Sequence, residues 1–267
     1  MERLIVCAGD SFTAGVELNA DKLIPGYTKN LIDNFAVIPP EMEALDNRYK
    51  QAVDQLPKTE RLTFWEKEKS MAWPKYLKSK KNVVYNESSG GISNQEICGR
   101  AIAKLEAIKN KSGKKYAFVM LTSSERYAHP TSYTINPYGY PYKQLYQQTL
   151  SKGNGPDLAI TEYWYLHHDS IDMFWHSFNA IHGLINYCRH TRVNLTIFDS
   201  CLWNWSYQHM REWKKDDPRL TTITSLIKTI PITYNMSEFA GPNTKLPGGH
   251  FCQEVHEKFG NAVMDLL

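Results

Sequence analysis

Short apolar segments that alternate with helical patterns are the feature that most constrains this fold. An almost wholly apolar strand is typical of a sheet that is covered on both faces. Helical periodicity separates the segments, so right-handed crossovers between parallel strands are expected. The sequence therefore predicts an α/β fold, a three-layer α/β/α sandwich with a mostly parallel, flavodoxin-like sheet. The four strand candidates are Leu4 to Ala8, Asn82 to Asn86, KYAFVMLTS at 115–123 and VNLTIFDS at 193–200.

Helices are predicted where apolar side chains recur at helical spacing. The pattern covers QEICGRAIAKLEAIKN, DSIDMFWHSFNAIHGLINYC and a terminal helix within HFCQEVHEKFGNAVMDLL. Pro40 marks the start of another helix, and Ser70 is predicted to cap a short one that has Pro74 in its first turn. The 267 residues fit a single domain with insertions at about 16–68 and 127–160.

Composition excludes several classes of function. The formal net charge is +3, from 31 basic and 28 acidic residues, so no nucleic-acid partner is expected. No run approaches the ~18 apolar residues of a membrane span, so no membrane partner is expected. The first apolar segment is expected to be a strand rather than a signal peptide. The 5 cysteines are scattered without a CxxC pair, which favours reduced thiols and a cytoplasmic location.

A nucleophile and a base are predicted at opposite ends of the chain. Open parallel sheets bind ligands at the carboxyl ends of their strands, so the loops at that edge are the candidates. The first strand runs into Gly9-Asp10-Ser11, and a serine hydroxyl needs an adjacent base to act as a nucleophile. In the loop before the last helix, His250 is placed to take that proton. Each residue has an ordinary alternative, since Ser11 also suits a helix cap.

Two further loops at this edge offer donors. In NESSGGISN, glycines let backbone N–H groups approach a substrate oxygen closely, although Ser93 or Asn94 also suits a helix cap. In LTSSER, Ser124 offers a hydroxyl donor, and Arg126 suits either a ligand carboxylate or a salt bridge that pins the loop. Each of the four loops is weak evidence by itself. Because all four are predicted at the same edge of the sheet, together they favour an active site there.

The ordered blocks GDSFTAG, NESSGGISN and GGHFCQEVHEKFG resemble those of the SGNH, or GDSL-like, hydrolases. AWPKYL and LTSSER look most like the members encoded by tailed bacteriophages. The resemblance implies an esterase without a metal or cofactor, acting on a small-molecule or carbohydrate ester such as an acetyl ester. It makes Ser11 the nucleophile and His250 its base, with backbone N–H groups of Ser11 and Gly91 in an oxyanion hole. Asp10, Ser124 and Arg126 complete the expected substrate-binding set.

Two departures from the family pattern matter. The third block normally supplies an asparagine; Ser123 and Ser124 stand there, and Asn94 is the candidate replacement. The aspartate expected three residues before the histidine is Pro247, so a backbone carbonyl or Glu254 is predicted to orient His250. These departures motivate the alternative of a catalytically degenerate SGNH domain that serves as a binding or structural module, with a virion component as one such case.

Three other possible sites are a metal site, a tyrosine-rich contact surface and a nucleotide site. His168 and Asp172 suit a shared helix face, but without a third ligand a charged helix start explains them better than a metal. The tyrosine-rich YTINPYGYPYKQLY suits sugar stacking, virion or homo-oligomer contacts, or an ordinary surface loop. Nucleotide binding at the same edge is not favoured, because the sequence lacks the G-x-G-x-x-G spacing.

Overall fold

Five parallel strands form the central sheet of this computed structural model, which describes residues 2–32, 39–124, 127–128, 134–135, 170–213 and 215–267. His168 and most of the tyrosine-rich segment lie outside these ranges. The sheet order is β2-β1-β3-β6-β7, and β4 pairs with β5 separately. The strands are β1 (Arg3–Ala8), β2 (Asn82–Asn86), β3 (Lys114–Leu121), β4 (Tyr127–Ala128), β5 (Thr134–Ile135), β6 (Asn194–Asp199) and β7 (Ile232–Asn235).

Helices connect these strands and cover both faces of the sheet. They are α1 (Ser11–Ala14), α2 (Pro40–Gln55), α3 (Lys58–Met71), α4 (Asn94–Ala107), α5 (Ser170–Thr191), α6 (Leu202–Trp213), α7 (Arg219–Ile227) and α8 (Gln253–Met264). A five-residue 3₁₀ helix, Trp73–Leu77, follows α3. Within the described ranges, no helix combines the length and apolar content that crossing a bilayer requires.

Alternating side chains of the strands divide the core into two halves. Leu4 and Val6 pack in the half that also contains α4, α5, α6 and α7. Ile5 and Cys7 pack in the other half, with α2, α3, α8 and the 3₁₀ helix. Burial on both sides explains why β1 and β3 read as continuous apolar runs. The predicted three-layer α/β/α sandwich with a flavodoxin-like strand order is confirmed.

Parallel register aligns the carboxyl ends of the central strands. Cys7 pairs with Asn86 of β2, Ala8 pairs with Val119 of β3, and Leu121 pairs with Asp199 of β6. The loops that follow these strands therefore leave the same edge of the sheet, where α/β folds of this order bind ligands.

Two local predictions differ from the structure. Ser70 lies inside α3, where its hydroxyl donates to the Lys67 carbonyl oxygen at 2.6 Å, so the predicted cap is wrong. Ala72 precedes the 3₁₀ helix instead, and Pro74 lies in its first turn. The strand β7 was not predicted, because it is a four-residue edge strand with partly exposed side chains and lacks an apolar run.

A buried histidine joins α8 to the 3₁₀ helix. The Nδ1 atom of His256 accepts a hydrogen bond from the Trp73 backbone N–H at 3.2 Å. Burial lowers the pKa of His256 to about 3, and the positive charges of His250 and Lys75 act in the same direction. The imidazole is therefore neutral in the folded protein near neutral pH.

Replacement of His256 by asparagine is predicted to remove an acid sensitivity of the fold. The unfolded chain takes up a proton near pH 6.5 and the folded chain only near pH 3, so this contribution is complete above pH 6.5 and is lost as the pH falls. The loss amounts to roughly 3 kcal/mol between pH 6.5 and pH 4. Asparagine keeps an acceptor for Trp73 and does not titrate, so in urea unfolding His256→Asn should lose less stability across this interval. His190 is exposed, so the control variant His190→Asn should lose as much stability across this interval as the original chain. Equal losses for His256→Asn and His190→Asn would contradict the prediction.

Candidate active site

Ser11 is held at the carboxyl edge of the sheet by the cap of α1. Asp10 accepts the Phe12 backbone N–H at 3.1 Å through Oδ1 and the Thr122 hydroxyl at 2.7 Å through Oδ2. These bonds fix the turn between β1 and α1 against the end of β3. Ser11 is thereby placed as the first residue of α1.

Ser11, Gly91 and His250 line one cavity of about 610 Å³. They come from the loops after β1, after β2 and before α8. The remaining wall is supplied largely by α3, through residues such as Leu62, Trp65 and Glu68. Folding therefore brings the early hydroxyl and the late imidazole to one cavity, as the sequence predicted. No hydrogen bond joins Ser11 Oγ to the His250 ring in the described chain, and such bonds are often long before substrate binds.

A buried carboxylate meets the inner nitrogen of His250. Glu17 Oε2 lies 3.3 Å from His250 Nδ1, and the Glu17 side chain is 2% exposed. Among the described residues, neither atom has a hydrogen-bond partner of its own. We therefore assign the ring proton to Nδ1, where it satisfies both atoms and leaves Nε2 as the basic nitrogen.

The charge of Glu17 also changes the basicity of His250. Burial of the ring by itself lowers the pKa of His250, but the Glu17 carboxylate raises it, with smaller contributions from Asp10 and Glu68. The net pKa of His250 lies above its ordinary value. The imidazolium form is therefore stabilised, which is what a triad acid does for its histidine.

The predicted partner Glu254 is wrong. Its side chain is 64% exposed and pairs with Lys258 at 2.6 Å. Glu17 instead follows the nucleophile loop by six residues, and its backbone adopts a left-handed φ of 73°. Sequence reasoning missed Glu17 because it lies in the segment at about 16–68 that was predicted to be an insertion, outside the four loops selected at the edge of the sheet.

Several groups fix the Glu17 carboxylate. The Tyr27 hydroxyl donates to Glu17 Oε1 at 2.9 Å, and the Glu17 backbone N–H donates to Glu68 Oε1 at 2.8 Å. A Cβ atom at Gly248 would lie 1.7 Å from Glu17 Oε1. Glycine is therefore required there, because any side chain would displace the carboxylate that contacts His250.

Two more buried acids support this arrangement from α2 and α3. Glu68 also accepts the Tyr49 hydroxyl at 2.9 Å, and Asp46 pairs with Lys50. Burial raises the pKa of Asp46 and raises that of Glu68 to about 7. The sequence did contain a signal for these two acids, because both lie on the buried face of an amphipathic helix. Asp46 precedes the buried Tyr49, and Glu68 follows the buried Phe64, at helical spacing.

Backbone donors for an oxyanion are available at the cavity. Gly91 has a left-handed φ of 74°, which favours glycine. Within the described chain, the backbone N–H groups of Ser11 and Gly91 donate no hydrogen bond. Both groups are therefore free to bind a substrate oxygen.

Three predicted substrate-binding side chains do not line the cavity. Asn94 donates to the carbonyl oxygens of Thr122 at 3.1 Å and Ser123 at 3.3 Å, and accepts the Thr122 N–H at 2.9 Å. Both amide hydrogens are used, which contradicts its expected donor role. Ser124 bonds Ser206 through its N–H and hydroxyl, and Asp10 caps α1 as described above. These residues build the edge of the sheet, and Arg126 lies outside the described residues.

Comparison with known proteins leaves the family open. No family model matches the chain, and no curated protein matches it significantly. The resemblance to SGNH hydrolases therefore remains a prediction that rests on the blocks around Ser11, Gly91 and His250.

Replacement of Glu68 by glutamine is predicted to stabilise the protein selectively at alkaline pH. The folded pKa of about 7 lies above the ordinary 4.5, so the folded state binds this proton more tightly. Stability from Glu68 is therefore complete below pH 4.5 and is lost as the pH rises through 7. Relative to the original chain, Glu68→Gln should gain about 2 kcal/mol of unfolding free energy from pH 5 to pH 8.

The measurement is urea unfolding at both pH values. Glutamine retains an oxygen that accepts from Glu17 and Tyr49, so the bonds of Glu68 are kept. Glu66→Gln is the matched control, since Glu66 is an exposed acid on the same helix. A difference that does not change with pH would contradict the prediction.

Proposed function

We propose that the protein is a serine hydrolase of the SGNH type that cleaves an ester in the cavity lined by Ser11 and His250. The observation that carries the proposal is the position of His250, which shares the cavity with Ser11 while its Nδ1 lies 3.3 Å from the buried carboxylate of Glu17. A nucleophile, a base and an orienting acid together make up a catalytic triad for this chemistry.

The proposed reaction proceeds through an acyl-enzyme. His250 Nε2 takes the hydroxyl proton as Ser11 Oγ attacks the ester carbonyl carbon, and Glu17 stabilises the resulting imidazolium. Backbone N–H groups of Ser11 and Gly91 hold the oxyanion, each worth roughly 3 kcal/mol in acyl transfer. His250 then gives the proton to the leaving alcohol as the carbon–oxygen bond breaks. In the second half, His250 takes a proton from water as the water oxygen attacks the acyl carbon. The bond between this carbon and Ser11 Oγ then breaks, and His250 returns the proton to Oγ, which releases the acid and restores Ser11.

The rival proposal is a degenerate domain that binds a ligand or partner without catalysis, including as a virion component. The side chains of Asn94 and Ser124 favour it, because neither supplies the third-block donor. The buried Glu17 argues against it, because a binding module has no need for a carboxylate directed at the inner nitrogen of a cavity histidine.

Replacement of Ser11 by alanine is predicted to lower hydrolysis of p-nitrophenyl acetate by about 10³-fold or more, because the nucleophile is removed. Ser89→Ala is the matched control, since Ser89 lines the same cavity and has no role in the proposed reaction. A fluorophosphonate probe should label the original chain at Ser11 and leave Ser11→Ala unlabelled. Equal rates for the original chain and Ser11→Ala, without labelling, would favour the rival.

Replacement of Glu17 by glutamine is predicted to change the pH dependence of the rate as well as its size. Only neutral His250 acts as a base, so the rate rises with pH through the His250 pKa. Glu17 raises that pKa, so its loss should move the midpoint to lower pH, while the plateau falls by about 10²- to 10⁴-fold. Circular dichroism checks the fold of the variant, and Glu254→Gln should leave the profile unchanged. A lower plateau with an unmoved midpoint would contradict the assigned role of Glu17.

A further inference from the structure

We propose that the substrate is an acylated acidic sugar whose anionic group binds in a basic groove beside the cavity. The inference rests on the proposed esterase function and names its substrate class. The groove has a volume of about 200 Å³ and includes Lys69, Lys75, Lys78 and Asn86. Carboxylate and phosphate share the chemistry that this groove recognises.

The groove continues from the catalytic cavity. Glu66 and Lys69 of α3 line both spaces, so the groove and the cavity are adjacent. The far side of the groove is formed by the 3₁₀ helix, which carries Lys75 and ends before Lys78. We therefore propose that a substrate whose ester lies near Ser11 extends past Glu66 and Lys69 to these lysines.

The positive charge of the groove is concentrated on Lys75 and Lys78. Lys69 lies 2.9 Å from Glu66, so these two residues largely neutralise each other. In the part of the chain that the structure describes, Lys75 and Lys78 form no ion pair. Lys75 lies over the Tyr76 ring, 4.7 Å from its centroid, which positions its ammonium without neutralising it. Asn86 adds an amide nitrogen that donates to no described residue.

Among the described residues, the cavity has no unpaired cation, and it has an apolar wall. His250 pairs with Glu17 and Lys69 pairs with Glu66, so an anionic group gains less there than beside Lys75 and Lys78. Trp65 and Leu62, which are 42% and 50% exposed, project from α3 along the cavity. Exposed apolar side chains at a cavity mark a ligand contact, and the flat face of an indole suits a sugar ring. In the proposed complex, the uncharged ester therefore lies in the cavity beside Ser11, and the anionic group lies beside Lys75 and Lys78.

The test compares esters that differ only in charge. Acetylated glucuronate and acetylated glucose 6-phosphate are compared with acetylated glucose as substrates of the original chain and of Lys75→Gln/Lys78→Gln. The double variant should lower kcat/KM for at least one anionic ester by about fivefold, a size that suits two surface charges, one half-buried on Lys75 and one exposed on Lys78. It should change kcat/KM for the neutral ester by less than twofold. Added NaCl should weaken the preference in the original chain, because salt screens exposed charges.

The control is Lys215→Gln/Lys228→Gln, which removes two exposed lysines that do not line the groove. Loss of preference for only one anionic ester identifies carboxylate or phosphate as the recognised group. Equal kcat/KM for charged and neutral esters in the original chain would overturn the proposal.

A binding measurement separates this proposal from the proposed function. Glucuronate and inorganic phosphate are titrated into Ser11→Ala and followed by NMR chemical shifts, which detect weak binding without catalysis. If binding disappears when Lys75→Gln and Lys78→Gln are combined with Ser11→Ala in one chain, the result supports anion binding in the groove even if no ester is cleaved. If neither anion binds and no ester is cleaved, both proposals fail.

Discussion

The contact between Glu17 and His250 is the interaction on which the candidate site depends. It joins the segment after β1 to the loop before α8, two regions that are 233 positions apart in the chain. Taking a carboxylate out of water costs several kcal/mol unless a partner and hydrogen bonds replace the lost hydration. Here the imidazole, the Tyr27 hydroxyl and the close backbone of Gly248 surround Glu17. The same contact sets the orientation of His250 and its basicity.

The helices α2 and α3 explain how this buried charge is tolerated. Glu68 of α3 accepts the Glu17 backbone N–H, and Tyr49 of α2 in turn donates to Glu68. Without α2 and α3, Glu17 would lose part of this network and the cavity would lose its Trp65 wall. The segment that contains α2 and α3 is therefore part of the candidate site. Its Glu68 combines a supporting role with a proton that dissociates near neutrality, because burial raises its pKa to about 7.

The fold could be predicted from the sequence because strands that are buried on both faces of a parallel sheet appear as continuous apolar runs. The convergence of Ser11, Gly91 and His250 followed from the same rule, since carboxyl ends of parallel strands share an edge. The role of Glu17 did not follow, because its partner lies across the fold and its own segment has no periodicity. Asn94 misled for a physical reason: an amide at a loop edge satisfies backbone groups as readily as it binds ligands, and here it closes three hydrogen bonds with the end of β3.

The position of the acid also accounts for the residues before His250. Pro247 stands where the SGNH resemblance predicts an aspartate, so that position supplies no carboxylate to His250, and Gly248 leaves the space that Glu17 fills. A side chain at position 248 would occupy the space that Glu17 Oε1 fills. Glu17 and Gly248 are therefore coupled: a carboxylate that reaches His250 from the segment after β1 requires a loop without bulk just before His250. The candidate site thus has an acid beside its histidine, and this acid comes from a different part of the chain from the one that the SGNH resemblance predicts.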